Sequence, residues 1–242
     1  MTSSDRLDAM LALIEKKEYC SVEFLAETFG VSHMTVRRDL KELFSKDKIL
    51  RCRGGAGAIK FNDTVTPAFR IRELHRLEQK KIIASKASKM LKNGSVIFID
   101  HSSTVIPLLK YITPEKGITV VTNGLRAFTE LSEKKIKLYC TGGEYHCLEM
   151  AYFGENAIKV INMMHYDACF FSPRGIISHD GAYNSSAYEA DILQAAMSNS
   201  DNVYGLFSIN KLGDRFKYKL CDLSVFTEVF TDTDCNLKSI TE

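Results

Sequence analysis

The sequence lacks the cysteine patterns that indicate a disulfide framework or a zinc ribbon. Its seven cysteines are odd in number and scattered without any CxxC pair, so neither arrangement is predicted. His146 and Cys147 are adjacent rather than spaced as metal ligands. We therefore predict no metal ion, no other cofactor and a reducing compartment.

Long apolar runs are also missing. No stretch approaches the length of about 20 apolar residues that spans a bilayer, and no basic start followed by an apolar run marks a signal peptide. We expect a cytosolic protein without membrane contacts. The 242 residues, 45% hydrophobic and 26% charged, are typical of a globular chain with one small and one larger unit.

An excess of charge of one sign is absent overall but present locally. The 32 Lys and Arg nearly balance the 30 Asp and Glu, for a net charge of +2. Residues 1–30 hold three basic against six acidic side chains, whereas residues 31–60 hold eight basic against three acidic ones. This distribution predicts a basic patch in the second segment.

Three amphipathic helices are predicted in the first sixty residues, because apolar residues recur there at helical spacing. The three stripes are Leu7, Met10, Leu11 and Ile14; Val22, Leu25, Ala26 and Phe29; and Val36, Leu40 and Leu43. Ser21 and Ser32 are placed as N-caps, and Gly30 as the end of the second helix. A short strand at 50–53, glycines at 54–57 and a linker-like stretch at 62–67 follow.

The third helix carries a cationic face opposite its core stripe. An exposed helix of this kind, presented by a glycine-containing turn, fits the major groove of duplex DNA. Base or phosphate contacts are expected from the helix and from the following strand, at Ser32, His33, Met34, Thr35, Arg37, Arg38, Lys41, Arg51 and Arg53. A basic helix face by itself is usually only solvated. Here the compound pattern of turn, capped basic helix and basic strand favours DNA binding.

From residue 76 onward, apolar strands alternate with amphipathic helices, which is typical of a parallel sheet covered by helices. The predicted strands are 95–100, 118–122, 137–141, 167–172 and 202–208. The predicted helices are 78–91, 104–111, 124–131, 155–163 and 186–197. This pattern predicts a separate α/β domain.

Polar and glycine residues follow four of these strands in turn. Ligands of parallel sheets bind at the carboxyl ends of the strands, where helix N-termini point N–H groups at anions. The candidates are Asp100, His101, Ser102, Ser103, Thr104, Thr122, Asn123, Gly142, Gly143, Arg174 and Gly175. Taken singly, the hydroxyls are explained as helix caps, the glycines as turns, and Arg174, Glu189 and Lys211 as solvated charges. Together they favour a ligand pocket.

Two segments, VSHMTVRRDL at 31–40 and LRCRGGA at 50–56, resemble the signature of the DeoR family of transcriptional regulators. In that family the region is a winged helix-turn-helix, and Arg53 stands where a His is usual. The remainder resembles the family's sensor domain, which is similar to ribose-5-phosphate isomerase, glucosamine-6-phosphate deaminase and the CoA transferases. The resemblance implies a DNA-binding domain at 1–58, a linker at 59–75 and a sensor domain at 76–242.

The same resemblance implies a phosphorylated sugar as effector. The 100–104 loop would hold phosphate or sugar hydroxyls, Thr122, Asn123, Gly142 and Gly143 would line the pocket, and Lys211 would neutralise charge. Arg174, Gly175 and Glu189 also fall in family order. Two departures, His101 in place of a small residue and Phe207 to Asn210 in place of an Asp-Ser-Ser run, imply an atypical effector.

We expect a repressor of carbohydrate-metabolism genes that binds double-stranded operator DNA as a homodimer or homotetramer, since one helix-turn-helix covers one half-site. A sugar-phosphate isomerase or deaminase is the alternative, because related folds perform that chemistry. No carboxylate can be assigned as its general base from spacing. A protein-binding scaffold is the third alternative, and it leaves the basic face unexplained.

Overall fold

The computed structural model divides the chain into two compact units, Met1–His75 and Arg76–Glu242. It describes residues 2–46, 48–52, 54–58, 66–235 and 240, with the backbone alone at 51, 52 and 67. Arg53, the side chain of Arg51 and linker residues 59–65 lie outside this description. The predicted architecture, a small helical unit followed by an α/β unit, is confirmed.

The N-terminal unit packs helices against a three-stranded antiparallel sheet. Its helices are α1 (Ser3–Lys17), α2 (Val22–Phe29), α3 (His33–Ser45) and α4 (Pro67–Leu74). Its strands are β1 (Tyr19–Ser21), β2 (Ile49–Cys52) and β3 (Gly55–Ala58), in the order β1-β3-β2. Met10, Leu25 and Val36, one from each predicted stripe, are completely buried in its core.

The predicted helix ends of the small unit are confirmed. The Ser21 hydroxyl accepts the Phe24 N–H at 3.0 Å, and the Ser32 hydroxyl accepts the Thr35 N–H at 3.1 Å. Gly30 ends α2 with a φ of 62°, in the left-handed region where a side chain is strained. These caps fix where α3 begins.

A buried ion pair joins α1 to α3. The Arg6 Nε donates to Asp39 Oδ2 at 2.6 Å, and Asp39 is almost completely buried. A buried carboxylate without a partner would be costly. The charge of Asp39 is therefore compensated from α1 rather than from the exposed face of α3.

Helix α4 packs on β3, within the stretch that the sequence predicts as a linker. Every residue of β3 is glycine or alanine and is buried, and Phe69 and Ile71 of α4 are buried as well. A Cβ at Gly57 would overlap the Ile71 side chain. The small residues of β3 therefore allow α4 to approach the strand closely.

The C-terminal unit is built on a six-stranded parallel sheet. Its strands are β4 (Val96–Ile99), β5 (Thr119–Thr122), β6 (Lys137–Cys140), β9 (Ala168–Phe171), β12 (Val203–Leu206) and β14 (Glu228–Phe230), in the order β14-β12-β9-β4-β5-β6. Phe98, Phe170 and Phe171 are buried along its centre. Five of these six strands lie within the predicted segments.

Helices and smaller sheets complete this unit. The helices are α5 (Leu77–Ala87), α6 (Leu125–Ser132), α7 (Glu155–Asn162) and α8 (Ala187–Ser198). The hairpin β7 (Glu144–His146) and β8 (Ala151–Phe153) is separate from the antiparallel sheet of β10 (Gly175–Ile177), β11 (Gly181–Asn184) and β13 (Tyr218–Asp222), ordered β10-β11-β13. These short antiparallel strands, and β14, are absent from the sequence prediction.

The helix predicted at 104–111 is wrong in type. The segment Ile106–Tyr111 is a 3-10 helix, with Leu108 N–H donating to the Val105 carbonyl at 2.8 Å. Thr113 precedes a proline and is extended, as the proline ring requires. The segment connects β4 to β5, and 3-10 geometry is frequent in such connectors.

The close approach of Gly57 and Ile71 yields a stability prediction. Gly57→Ala should cost about 1 to 3 kcal/mol because the added methyl overlaps Ile71, and Ile71→Ala should cost about 2 to 5 kcal/mol because it removes buried packing. The double variant should cost less than the sum, because the shortened side chain leaves room for the methyl. Hydrogen exchange of the β1–β3 amides in the full chain measures these values. Additive costs would show that Ile71 is not the reason for glycine here.

Candidate nucleic-acid interface and anion pocket

Helix α3 presents a cationic face to solvent. His33, Arg37 and Lys41 are exposed, and the Met34 residue is 78% exposed. The Arg38 side chain is 72% exposed, and its Nε lies 3.8 Å from Asp39 Oδ1. Because Arg6 already holds Asp39, the Arg38 guanidinium remains accessible to a phosphate or a base edge.

Ser32 and Thr35, two of the predicted DNA contacts, are engaged in capping. Their hydroxyl oxygens lie 3.0 Å apart, and the Ser32 hydroxyl also accepts the Thr35 N–H. Their first role is therefore to begin α3. The β2–β3 hairpin that follows pairs Arg51 with Ala56, as in the wing of a winged helix.

The second group of predicted residues meets at one edge of the parallel sheet. Strands β12, β9, β4, β5 and β6 are consecutive neighbours and run parallel. Their carboxyl ends therefore bring together segments far apart in sequence. Asp100, Asn123, Ser172 and Lys211 come from four of these ends.

Asp100 is the buried junction of this edge. Its Oδ1 accepts the Ser102 N–H at 3.0 Å and the Ser102 hydroxyl at 2.7 Å, and its Oδ2 accepts the Ser172 N–H at 3.1 Å. Burial raises the pKa of Asp100, while His101 and these hydrogen bonds oppose that rise. Asp100 thus ties the loop after β4 to the end of β9.

Lys211 is a half-buried ammonium group bonded to neutral oxygens. Its Nζ donates to the Ser172 hydroxyl and to the Pro173 carbonyl, each at 2.7 Å. Burial, with a smaller contribution from the charge of Arg174, lowers the pKa of Lys211 to about 8, although Asp100 and Glu189 oppose this. Within the described part of the chain it forms no salt bridge. An anion would supply the missing charge.

A second lysine contacts the loop after β4. The Lys80 Nζ, from α5, donates to the Ser103 hydroxyl at 3.0 Å, and the Lys80 residue is buried. One ammonium group, that of Lys80 on α5, therefore contacts loop 100–104 directly. The other, that of Lys211, contacts Ser172 after the neighbouring strand β9. Asp100 joins this loop to the end of β9, and we name the two pairs, Lys80 with Ser103 and Lys211 with Ser172, the anion pocket as a candidate binding site.

Four charged groups form a second cluster beside the anion pocket. The His101 Nε2 lies 3.6 Å from Glu189 Oε1, and the Arg174 Nη2 lies 3.8 Å from Glu189 Oε1 and 3.9 Å from Glu149 Oε1. We name His101, Glu149, Arg174 and Glu189 the polar ring. It joins the loop after β4, the β7–β8 turn, the end of β9 and α8.

The protonation of the polar ring follows from its contacts. Burial would raise the pKa of Glu189, but His101, the Ser186 hydroxyl and Arg174 outweigh it and lower the value to about 2. Burial would lower the pKa of His101, but Glu189, Asp100 and Glu149 outweigh it and raise the value. Glu189 is therefore an ionised acceptor, and its negative charge raises the pKa of His101.

His101, Glu149 and Glu189 offer ligand atoms within 4.8 Å of one another, as in a metal site. Two contacts disfavour a metal there. Arg174 already places a positive charge beside both carboxylates, and Asn123 Nδ2, which donates to the Tyr152 carbonyl, faces His101 Nδ1 at 3.4 Å. In the neutral imidazole the proton then lies on Nε2, toward Glu189, so no lone pair faces the carboxylates.

Other predicted pocket residues have structural explanations. Thr122 Oγ1 accepts the Gly124 N–H at 3.0 Å. A Cβ at Gly143, whose φ is 112°, would overlap the Phe153 carbonyl, and one at Gly175 would overlap the Asp214 carbonyl. Gly142 borders open space with a φ of 60°, and Thr104 is buried.

Three residues at this edge were not among the predicted contacts. Lys80 lies on α5, Ser172 follows β9, and Glu149 lies in the β7–β8 turn. For Ser172 the sequence does hold an indication, because it belongs to the polar run that follows β9. No pattern in the sequence marks Glu149, because it reaches the polar ring only through a hairpin that periodicity does not reveal.

The chain matches two domain families. Residues 75–233 match the DeoR C terminal sensor domain, and residues 6–61 match the DeoR-like helix-turn-helix domain. A lactose phosphotransferase system repressor of Staphylococcus epidermidis is 31% identical over 245 residues, covering 97% of this chain and 94% of that protein. The fold, the exposed α3 face and these matches define a helix-turn-helix regulator with a sensor domain. The chain belongs to the DeoR family.

Solved structures give weaker likenesses. A crystal structure of eIF2B delta from Chaetomium thermophilum has a TM-score of 0.48 and 14% identity, covering 67% of this chain and 58% of that one. Ribose 5-phosphate isomerase from Plasmodium falciparum has a TM-score of 0.40 and 15% identity, covering 55% and 52%. Neither likeness bears on chemistry.

No helix within the described residues combines the length and apolar character needed to cross a bilayer.

The low pKa of Lys211 predicts a pH-dependent stability. Between about pH 8 and 10.5 the unfolded chain keeps a proton that the folded lysine has lost, so the penalty for burying the ammonium disappears as pH rises. The free energy of unfolding of the wild type should therefore increase relative to that of Lys211→Met across this window. Urea unfolding at several pH values measures it, with Lys92→Met as the exposed control. A constant difference would contradict the lowered pKa.

Proposed function

We propose that this protein is a repressor of carbohydrate-metabolism genes that leaves its operator when a phosphorylated sugar binds the sensor domain. Helix α3 would enter the major groove with His33 and Met34 toward base edges. Arg37, Arg38 and Lys41 would contact phosphates or bases, and the β2–β3 hairpin would contact the backbone. The Arg38 side chain supports this assignment, because it is 72% exposed and its contact with Asp39, at 3.8 Å, is much longer than that of Arg6, at 2.6 Å.

The observation that carries the effector assignment is the ammonium group of Lys211. It lies at the strand ends and is bonded to neutral oxygens, and Lys80 of α5 donates to Ser103 of the neighbouring loop. A phosphate offers the negative charge and the acceptor oxygens that the Lys211 ammonium lacks among its described partners. The name of the staphylococcal relative, a lactose phosphotransferase system repressor, supports a carbohydrate link.

A regulator of this kind needs two helix-turn-helix units on DNA, since one covers only half of a symmetric site. We therefore propose a homodimer or homotetramer.

The same proposal assigns no catalytic step to the sensor domain. Both carboxylate oxygens of Asp100 already accept structural hydrogen bonds. The pKa of Glu189, about 2, is too low for a general base.

Removal of the exposed arginines should weaken DNA binding. Arg37→Ala or Arg38→Ala should lower the affinity for genomic fragments selected by the wild type. If the arginine binds a phosphate, its removal should reduce the slope of log K against log salt by about 0.9. Fluorescence anisotropy at several salt concentrations measures both effects. Lys92→Ala, which removes the same charge from the C-terminal unit, is the control, and equal affinities for all variants would contradict the groove assignment.

A phosphorylated sugar should stabilise the protein and release DNA. A ligand at a hundred times its Kd adds about 2.7 kcal/mol to stability, and coupling of about 1 to 3 kcal/mol changes DNA affinity roughly 5- to 150-fold. We expect this response to at least one member of a panel of pentose 5-phosphates and hexose 6-phosphates, read by thermal shift and DNA anisotropy. Lys211→Met should bind DNA normally but lose the response, whereas Lys92→Met should keep it. A wild type that ignores the whole panel would refute the effector assignment.

A further inference from the structure

Met34 is an apolar side chain on the exposed face of α3. The Met34 residue is 78% exposed, whereas Val36 and Leu40 of the same helix are 0% and 2% exposed. Met34 therefore adds little to the core of the N-terminal unit. A single exposed apolar residue needs no explanation by itself, so the neighbouring side chains decide what Met34 can do.

Met34 lies within the cationic surface of α3. Residues three, four and seven positions apart share one side of a helix. These positions after Met34 are occupied by exposed cationic residues, namely Arg37, Arg38 and Lys41. An apolar side chain on this face therefore meets the partner that the cations attract. In the proposed function that partner is duplex DNA, whose phosphates are neutralised by such groups.

The first turn of α3 presents His33 and Met34 to solvent. The two hydroxyl groups on either side of them are engaged, because the oxygens of Ser32 and Thr35 lie 3.0 Å apart and the Ser32 hydroxyl accepts the Thr35 N–H at 3.1 Å. The Cα–Cβ bonds of a helix tilt toward its N-terminus. The Met34 side chain thus extends toward the end of the helix that contacts base edges in helix-turn-helix proteins.

The chemistry of a thioether limits what Met34 can recognise on DNA. The side chain carries no charge and is at most a weak acceptor, so it cannot hold a phosphate as Arg37 or Lys41 can. All base pairs display hydrogen-bonding groups in the major groove, and thymine adds an apolar group, its C5-methyl. An unbranched, flexible methionine adapts its shape to such a contact. The partner that matches Met34 is therefore a thymine methyl group.

We propose that Met34 determines operator specificity by contacting the C5-methyl group of a thymine in the major groove. This inference rests on the proposed binding of operator DNA by α3. Phosphate contacts of the neighbouring cations supply affinity without sequence information. Met34 then distinguishes a thymine from a base without the methyl group at one position of each half-site.

Removal of single methyl groups from the DNA tests the inference. The full chain first selects sites from a randomised duplex library. Each thymine of a selected site is then replaced in turn by deoxyuridine, which pairs in the same way and lacks only the C5-methyl group. Fluorescence anisotropy should show one position in each half-site at which the replacement weakens binding about fourfold, the effect of withdrawing one methyl group from an apolar contact.

Two variants assign this loss to Met34. Met34→Ala withdraws the side chain from the base edge while keeping a strong helix former, and Met34→Gln keeps the length of the side chain but ends it in a polar amide. In both variants the affinities for the thymine and deoxyuridine sites should differ by less than about 1.5-fold, because the apolar contact is gone.

Met163→Ala is the matched control. It makes the same change at a methionine that is also 78% exposed but lies in the C-terminal unit. This variant should keep the difference of about fourfold between the thymine and deoxyuridine sites.

The negative results are distinguishable. If no deoxyuridine replacement weakens binding, or if the loss persists in either Met34 variant, Met34 does not recognise thymine, while DNA binding by α3 stands. The same conclusion follows if the chain binds the library without enriching any sequence. If the chain binds no duplex at low salt, α3 is not a DNA-binding helix, and the inference falls with the proposed function.

Discussion

The pocket depends on the hydrogen bonds of one buried carboxylate. Asp100 accepts two bonds from Ser102 and one from the Ser172 N–H, and so joins the loop after β4 to the end of β9. In a buried setting these bonds are strong, and an unpaired member would be costly. The loop they fix holds Ser103 and His101, and the strand end they fix turns the Ser172 hydroxyl toward Lys211.

Around Asp100 the charged side chains form two different clusters, the anion pocket and the polar ring. Lys211 is bonded to neutral oxygens, so its ammonium gains most from an incoming anion. The polar ring balances its own carboxylates with Arg174 and His101 at distances of 3.6 to 3.9 Å. Electrostatic interactions in both clusters are stronger at these buried strand ends than in water, because the local dielectric is low.

The DNA-binding unit differs from the C-terminal unit because it keeps the cationic side chains of α3 exposed. Its one almost fully buried carboxylate among the described residues of α3, Asp39, is paired with Arg6 of α1. Arg37, Arg38 and Lys41 therefore remain exposed. Helix α4, packed on the glycine and alanine residues of β3, supports the base of the β2–β3 hairpin. Burial of charge shapes the sensor pocket, whereas exposure of charge shapes the DNA face.

The sequence by itself determined the elements whose signals are local. Serine caps, the glycine at the end of α2, the apolar stripes of the first three helices and the long apolar strands all depend on neighbouring residues, and they placed Arg37 and Asp100 correctly on a helix face and a strand end. Tertiary structure decided the rest. The 3-10 helix at 106–111, the packing of α4 on β3, and the arrival of Glu149 and Lys80 beside loop 100–104 depend on contacts between distant segments. The spacing of apolar residues along the chain does not indicate such contacts, because they form only when the folded sheet brings distant segments together.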